Sequence, residues 1–310
     1  MTKSLTQNNP YINVHITIIN SWDIQLHSKS AILLISCPDK KGIVYKISHF
    51  IYSNNGNILR SDQHADEESG TFFMRIEWDL DGFAIEKNNI AKAFEPIAAE
   101  YNMNWQLHFS AKKQRTAIFV SKMDHCLYDI LLKAKEGEIA TDIACIISNH
   151  ELLGTIATYF GIPFFVFPKT KENKLQQEQK ELAVLADLGI DCIVLARYMQ
   201  ILSADFVSHY ANRIINIHHS FLPAFKGAKP YHQAYKHGVK IIGATSHYVT
   251  ELLDQGPIIE QDVIRVSHKD SIEDIIRKGK DIEKLVLSRA LKKHLEHKVL
   301  VYANKTIVFD

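Results

Sequence analysis

The chain has 310 residues, of which 46% are hydrophobic and 23% are charged, proportions that are ordinary for a folded globular protein. Its 36 basic and 35 acidic side chains leave a formal net charge of +1, which gives no long-range attraction to a nucleic-acid backbone or an anionic membrane. We therefore expect neither as a partner. Thirteen glycines and eight prolines exclude collagen-like and low-complexity classes, and the length predicts about two domains.

The N-terminal extension, residues 1–29, mixes polar with apolar side chains and lacks the residue order of a signal peptide. No apolar run reaches the roughly 18 residues that a membrane-spanning helix needs. The four cysteines are widely separated, with the spacing of neither a disulfide scaffold nor a zinc site. We therefore expect a cytoplasmic protein, and the extension has no predicted role.

Residues 30–110 have the pattern of a small α+β domain. Apolar runs predict four strands, at Ala31–Cys37, Ile58–Ala65, Thr71–Leu80 and Trp105–Phe109. Helical spacing of apolar residues predicts one helix after the first strand, from Ile43 to Ile51, and another from Ala84 to Tyr101. The order βαββαβ is that of a ferredoxin-like domain. A basic segment with few apolar residues, 111–115, is the predicted linker.

From residue 116 to residue 310 the rhythm changes to strands that alternate with helices. The predicted strands are Thr116–Ser121, Ile139–Ser148, Phe164–Phe167, Cys192–Ala196 and Arg213–Ile217, and helices separate them at Asp124–Lys135, Leu152–Phe160, Leu175–Leu188 and Ser203–Tyr210. Two further β-rich runs, Val239–Val249 and Ile258–Val266, and a helix from Ser271 to about His297 complete the region. This alternation predicts a doubly wound α/β domain with a mostly parallel sheet.

The first candidate site follows the strand that ends at Ile217. Ligands of open parallel sheets bind outside the carboxyl ends of the strands, and residues two apart on a strand point the same way, so Asn216 and His218 can share a site. An amide beside an imidazole can polarise a carbonyl and stabilise an oxyanion. The pair His218-His219 could indicate a metal, but adjacent strand residues face opposite sides and no further ligand stands at metal-site spacing. We predict no metal.

A second candidate is Asp254, in the segment between the two late β-rich runs. A carboxylate there could orient the imidazole or a water molecule against a substrate. Each residue taken alone has an ordinary structural explanation. A single histidine is usually a surface or core residue, and an aspartate shortly before Gly-Pro is usually part of a turn.

These residues together, within the motifs that contain them, are a more specific signal than any one of them. N-I-H-x-S-x-L-P-x-F-K-G at 216–227 and H-x-V-T-x-x-L-D-x-G-P-I at 247–258 resemble the formyltetrahydrofolate-dependent formyltransferase family. The segment L-A-R-Y-M-Q-I-L-S at 195–203 resembles that family's pterin-binding loop. The resemblance implies a formyltransferase-like fold over 116–310 and a cis peptide at Leu222-Pro223.

The same resemblance implies roles for individual residues. The catalytic asparagine, histidine and aspartate of the family match Asn216, His218 and Asp254. Folate-binding positions match Met199, Gln200, Leu202, His247 and Thr250, with many contacts from the main chain. No metal or nucleotide cofactor is implied.

Two features favour the deformylase branch of this family. Ribonucleotide formyltransferases carry a glycine-rich, phosphate-binding loop after the first strand, whereas 119–126 here reads F-V-S-K-M-D-H-C, and Asp124 would repel a phosphate. We expect the side chains at 121–126 to fill that space. Formyltransferases that act on tRNA carry an additional β-barrel, for which 299–310 is too short.

The N-terminal region agrees with this assignment. C-P-D-K-K-G-I-V at 37–44, G-N-I at 56–58, D-Q-H at 62–64 and F-F-M-R at 72–75 resemble ACT domains, which commonly bind amino acids. An ACT domain joined to a formyl-handling domain resembles formyltetrahydrofolate deformylases over nearly the whole chain. The resemblance implies a homo-oligomer and an amino-acid effector, glycine or methionine for example, at Asp39, Gly42 and Ile43.

The implied reaction is hydrolysis of 10-formyltetrahydrofolate to tetrahydrofolate and formate, which would balance one-carbon pools and supply formate for purine biosynthesis. Whether Asp254 or His218 is the general base stays open. One alternative is a formyltransferase with an amine acceptor, and another is an ACT-type amino-acid sensor with an inactive enzyme domain. A thiolate nucleophile at Cys126, beside His125, is a weaker alternative because adjacent residues rarely form a working pair.

Overall fold

The computed structural model describes residues 30–223 and 230–310. The predicted extension 1–29 and the A-F-K-G end of the motif at 216–227 lie outside the described residues. Within the described ranges, no helix combines the length and the apolar character that crossing a bilayer requires.

The N-terminal region folds in the predicted βαββαβ order. Its elements are β1 (Ser30–Pro38), α1 (Ile43–Ser53), β2 (Ile58–Asp66), β3 (Thr71–Asp79), α2 (Ile90–Glu100) and β4 (Asn104–Phe109). The strands form a sheet of order β2-β3-β1-β4, and each pair is antiparallel. Apolar residues four apart on the helices, such as Ile43 and Ile47 on α1 and Phe94 and Ala98 on α2, are buried in one core with β1 and β3.

The second helix begins later than the prediction of Ala84. A turn that contains Gly82, with a φ of 70°, and a short 3-10 helix at Lys87–Asn89 precede α2. The backbone N–H of Ala84 donates to the carbonyl oxygen of Asn54 at 2.8 Å, so it is engaged outside the helix. Apolar spacing alone did not reveal this long-range bond.

The rest of the chain builds a seven-stranded, mostly parallel sheet of order β11-β10-β9-β8-β5-β6-β7, as the α/β prediction requires. Its elements are β5 (Gln114–Val120), α3 (His125–Lys135), β6 (Thr141–Ser148), α4 (Gly154–Phe160), β7 (Phe164–Val166), α5 (Lys174–Asp187), β8 (Cys192–Leu195), α6 (Ala204–His209), β9 (Ile214–His218), α7 (Pro230–His237), β10 (Ile241–Tyr248), β11 (Ile258–Arg265) and α8 (Ile272–Leu295). Two neighbouring pairs in this sheet are antiparallel, β9 with β10 and β10 with β11, and the other four pairs are parallel. The strand order reverses between β5 and β8, which is where ligands of such sheets bind.

The connection between the two sheets is shorter than the predicted linker 111–115. β5 begins at Gln114, and Arg115 is fixed by bonds from its backbone N–H to Asp191 and from its Nε to the carbonyl oxygen of Leu188. The arginine and glutamine looked like linker residues because they are polar. Their partners come from distant parts of the chain.

The last residues form a hairpin that was not predicted, β12 (Val299–Tyr302) and β13 (Lys305–Val308). Leu300 and Phe309 pack with Leu34 and Phe73 of the small sheet. The Nε of Arg75, on β3, donates to the carbonyl oxygen of His297 at 3.0 Å, just beyond the end of α8. The C-terminus therefore joins the small sheet to the larger one.

Candidate active site

The carboxyl ends of the parallel strands border a cleft of about 700 Å³. The loops after β5, β8 and β10, the end of β9 and one face of α8 line it. Every residue predicted to act on a substrate lies in its wall, namely Asn216, His218, Asp254, Met199, Gln200, Leu202, His247 and Thr250. The peptide bond Leu222-Pro223, in the loop after β9, is cis as expected.

Four polar side chains meet at the centre of this cleft. Asn216 and His218 point the same way from β9, and antiparallel pairing places His247 of β10 directly across from Asn216. Asp254 reaches them from the loop after β10: its carboxylate lies 3.2 Å from Nδ1 of His218 and 3.7 Å from Nε2 of His247. Nδ2 of Asn216 lies 3.2 Å from Nε2 of His247. The predicted trio is thus brought together, with His247 as a fourth member.

The loop that carries Asp254 is held in one conformation. Asp254 has a φ of 53°, a left-handed conformation that aspartate tolerates better than most residues. At Gly256 an added Cβ would lie 1.8 Å from the carbonyl oxygen of Tyr248, so only glycine fits. The register between β10 and β11 shifts beside this loop, between Ser246 and His247, where Ile259 of β11 is an extra residue in the ladder.

Hydrogen bonding distinguishes the two ring nitrogens of each histidine. Nδ1 of His247 donates to the carbonyl oxygen of Tyr248 at 2.8 Å, which leaves Nε2 to accept from Asn216. Nδ1 of His218 faces Asp254, and its Nε2 is buried without a hydrogen-bond partner among the described residues. The bond from His218, aided by His247, holds the pKa of Asp254 well below its usual range. Asp254 is therefore a carboxylate at neutral pH.

Apolar side chains form the outer part of the cleft. Four of them are exposed although they are large: Met199, Ile201, Leu252 and Leu253. They come from two loops, the one after β8 and the one after β10. Exposed apolar side chains around a few convergent polar groups are typical of a small-molecule site.

The loop after β8 is fixed from behind by a buried ionic network. Nζ of Lys169, almost fully buried, lies 2.8 Å from Glu181 and 3.8 Å from Glu178. Glu178 accepts the backbone N–H of Ser203, and Glu181 accepts the hydroxyl of Tyr198. These bonds hold both ends of the loop, at Tyr198 and Ser203, and so position the residues between them. The sequence offered no signal for this network, because two glutamates on a charged helix usually face solvent.

Residues 114–291 match the formyl transferase family. The formyltetrahydrofolate deformylase of Synechocystis sp. is 55% identical over 92% of this chain and 100% of that protein, and that of Bacillus subtilis is 50% identical over 90% and 93%. The crystal structure of a formyltetrahydrofolate deformylase from Pseudomonas syringae pv. tomato superposes with a TM-score of 0.90, at 48% identity over 94% of this chain and 97% of that one. The chain belongs to the formyltetrahydrofolate deformylase family. A glycinamide ribonucleotide transformylase from Symbiobacterium toebii has a TM-score of 0.61, at 28% identity over 66% of this chain and 98% of that one.

Within this deformylase-family chain, the segment 121–126 only partly fills space at the cleft. Met123 and His125 line the cleft, whereas Asp124 is exposed. Cys126 lies in the core, and burial raises the pKa of its thiol well above the usual value. A neutral, buried thiol is a poor nucleophile, so the thiolate alternative finds no support.

One group of side chains has the composition of a cation site. Ligand atoms of His125, Cys126 and Glu283 lie within 4.8 Å of one another. The Glu283 carboxylate, however, already accepts from Nε2 of His125 at 2.7 Å and from the hydroxyl of Tyr231, and Nε of Arg197 lies 3.5 Å away. A guanidinium this close opposes a cation. The group is better described as a hydrogen-bonded cluster.

The predicted effector residues lie apart from the cleft, at the start of α1. Gly42 has a φ of 95°, and an added Cβ would lie 3.2 Å from the hydroxyl of Tyr101, so the turn into the helix requires glycine. Ile43 is buried, and the backbone N–H of Asp39 donates to the carbonyl oxygen of Gly70. These contacts give Gly42 and Ile43 structural roles in the turn.

Proposed function

We propose that the chain hydrolyses 10-formyltetrahydrofolate to tetrahydrofolate and formate, with Asn216, His218 and Asp254 as its catalytic residues. The observation that carries the proposal is the contact between Asp254 and Nδ1 of His218, which leaves Nε2 without a partner among the described residues. The names of the relatives support the same substrate and reaction.

In this scheme His218, rather than Asp254, is the general base. A carboxylate whose pKa lies well below the usual range is a weak proton acceptor. Asp254 instead accepts from Nδ1 and fixes the ring. Nε2 then removes a proton from the attacking water and passes it to N10 as the bond between N10 and the formyl carbon breaks.

The oxyanion is stabilised by Asn216. One N–H of its amide faces His247, and the second is available to the formyl oxygen. When the tetrahedral intermediate collapses, formic acid leaves and loses its proton to solvent. Atoms and charges balance with water as the acceptor, and we propose that no metal or nucleotide cofactor takes part.

The folate would lie along the apolar loops, with Met199, Gln200, Leu202, His247 and Thr250 as binding residues. Two observations support this placement: hydrogen bonds hold both ends of the loop after β8, and exposed apolar side chains lie beside it. A flat heterocycle with its own donors and acceptors suits such a surface.

Release of formate from 10-formyltetrahydrofolate without any amine tests the proposal directly. We expect turnover in buffer, unchanged by a chelator. An absolute requirement for an amine would favour the formyltransferase alternative, and no reaction under either condition would favour the sensor.

For residues 30–110 we propose an ACT regulatory domain that binds an amino acid near Asp39, Gly42 and Ile43 and takes part in a homo-oligomer, beside a catalytic domain that extends to residue 310. The βαββαβ order and the glycine turn at the start of α1 support this division. Titration calorimetry with glycine and with methionine tests it. If neither binds and the rate of formate release does not change, the effector assignment is wrong.

A further inference from the structure

Four polar side chains in the cleft wall take no part in the proposed chemistry. We call these residues the Glu283 cluster: His125 at the start of α3, Arg197 in the loop after β8, Tyr231 on α7 and Glu283 on α8. Nε2 of His125 lies 2.7 Å from one carboxylate oxygen of Glu283, and the Tyr231 hydroxyl donates to the other. Nε of Arg197 lies 3.5 Å from the first oxygen.

A buried charge lies at the centre of the cluster. The Glu283 side chain is 1% exposed, and burying a carboxylate is unfavourable unless donors and an opposite charge surround it. Burial alone would raise the pKa of Glu283, but the bond from His125 and the charge of Arg197 outweigh it, so the pKa lies below its usual value. Burial raises the pKa of Tyr231, which stays a neutral donor.

The ring of Tyr231 also rests directly on the backbone of α8. An added Cβ at Gly279 would lie 2.2 Å from Cζ of Tyr231. Glycine inside a helix is unfavourable by roughly 0.5–1 kcal/mol relative to alanine, and here it makes the room that the ring occupies. Tyr231 is therefore held on one side by the helix and at its tip by Glu283.

One side chain separates this cluster from the catalytic histidine. The ring of His219 lies 6.0 Å from that of Tyr231, edge to face, and 5.3 Å from that of His218. Burial lowers the pKa of His219 to about 4, so it is a neutral spacer. Displacing Tyr231 would thus open space within one residue of His218.

We propose that the Glu283 cluster determines the acceptor: it occupies the space that an amine would need beside His218 and leaves room for water. This inference rests on the proposed hydrolysis. The cluster extends from the carboxyl end of β5, at the reversal of strand order where such sheets bind ligands. The transformylase relative shares the fold, so side chains rather than topology must set the difference in acceptor.

The competing reaction transfers the formyl group to an amine. With a primary amine in place of water, a bond forms between the amine nitrogen and the formyl carbon, and the bond from that carbon to N10 breaks. The proton lost by the amine passes to N10. The products are a formamide and tetrahydrofolate, with no formate. The ratio of formamide to formate therefore reports which acceptor reached the formyl carbon.

The test measures this ratio with glycinamide as the added amine. We expect Tyr231→Ala to raise the ratio by at least about tenfold over wild type, because removal of the ring opens the acceptor space. Tyr231→Phe keeps the volume and should leave the ratio unchanged. Tyr235→Ala removes an exposed tyrosine one turn further along α7 and serves as the matched control.

The ratio is insensitive to partial unfolding, since unfolded molecules make neither product. If Tyr231→Ala folds poorly, Tyr231→Val removes most of the ring with less loss of packing. A ratio equal to that of wild type in both small variants, at every glycinamide concentration, would overturn the inference while wild-type formate release upheld the proposed function. Formylation of glycinamide by wild type faster than hydrolysis, or no reaction at all, would overturn both.

Discussion

Two groups of histidines, one buried in the cleft and one half-buried beside the small sheet, have different neighbours. In the cleft, His218 and His247 face the carboxylate of Asp254. Between the small sheet and the end of α8, the rings of His108 and His297 stack with centroids 3.7 Å apart. His294, on the same helix, meets the hydroxyl of Tyr248 at 2.8 Å, and the charged groups that act on these rings are positive: Arg75, Lys112 and Arg213.

The comparison shows that the charged neighbours of a histidine matter as well as its burial. Burial and positive neighbours lower the pKa of His294 to about 4 and that of His297 to about 2, and burial lowers that of His108 to about 4. These rings are neutral packing groups. In the cleft the carboxylate of Asp254 orients a histidine and balances the positive charge that the ring carries when it holds a second proton.

Asp254→Asn should have the largest effect on turnover. It removes the carboxylate that distinguishes the histidines of the cleft from those beside the small sheet. We expect turnover to fall by about 10² or more, the size typical of lost acid–base help, with little change in KM. The measurement is steady-state formate release. Asp187→Asn, which changes an exposed carboxylate at the end of α5, is the control for loss of charge. Near-normal turnover in Asp254→Asn would remove Asp254 from the mechanism.

His247→Asn should have the next largest effect. The asparagine can still bond to the carbonyl oxygen of Tyr248, but it cannot reach Asn216 as Nε2 does. We expect kcat to fall by about tenfold and KM to rise by less than that, since His247 orients groups that act on the transition state besides contributing to the proposed folate site. The opposite pattern, a raised KM with unchanged kcat, would mean that His247 only binds folate, the role that the sequence suggested.

Sequence reasoning recovered the site where the residues that form it are close in the chain. The spacing of Asn216 and His218 on one strand placed them together. The order of the strands along the chain agrees with the structure, and most strand ends agree within a few residues. Asp254 needed the family resemblance, because loop geometry does not follow from periodicity. Glu283 gave no signal, since a glutamate on a charged, amphipathic helix usually faces solvent.

His108, His294 and His297, which we call the interface histidines, should make the stability of the fold sensitive to acid. An unfolded histidine titrates near 6.5, so between about 6.5 and about 4 the unfolded chain binds more protons than the folded one. The free energy of unfolding is therefore highest above that window and falls as pH decreases through it. We expect Tm to drop by about 5 °C or more from about pH 7.5 to about pH 5.

Replacement of His297 tests whether the interface histidines cause the fall in Tm. His297 has a φ of 51°, a left-handed conformation that asparagine tolerates, so His297→Asn removes the titrating group without new backbone strain. The variant should show a shallower dependence of Tm on pH than wild type, measured by scanning calorimetry. An identical slope would assign the acid sensitivity to other groups.

Tyr248→Phe should have the smallest effect, and it tests whether the two histidine regions are independent. The backbone carbonyl of Tyr248 binds His247, while its buried hydroxyl bonds to His294. Because burial raises the pKa of Tyr248 and lowers that of His294, the neutral hydroxyl donates to a neutral ring. Its loss leaves a half-buried acceptor unpaired, which should lower the free energy of unfolding by about 1 kcal/mol. The bond to His247 is a main-chain bond and survives, so turnover should stay within about twofold of wild type. A tenfold loss of turnover would show instead that the interface histidines act on the cleft through β10.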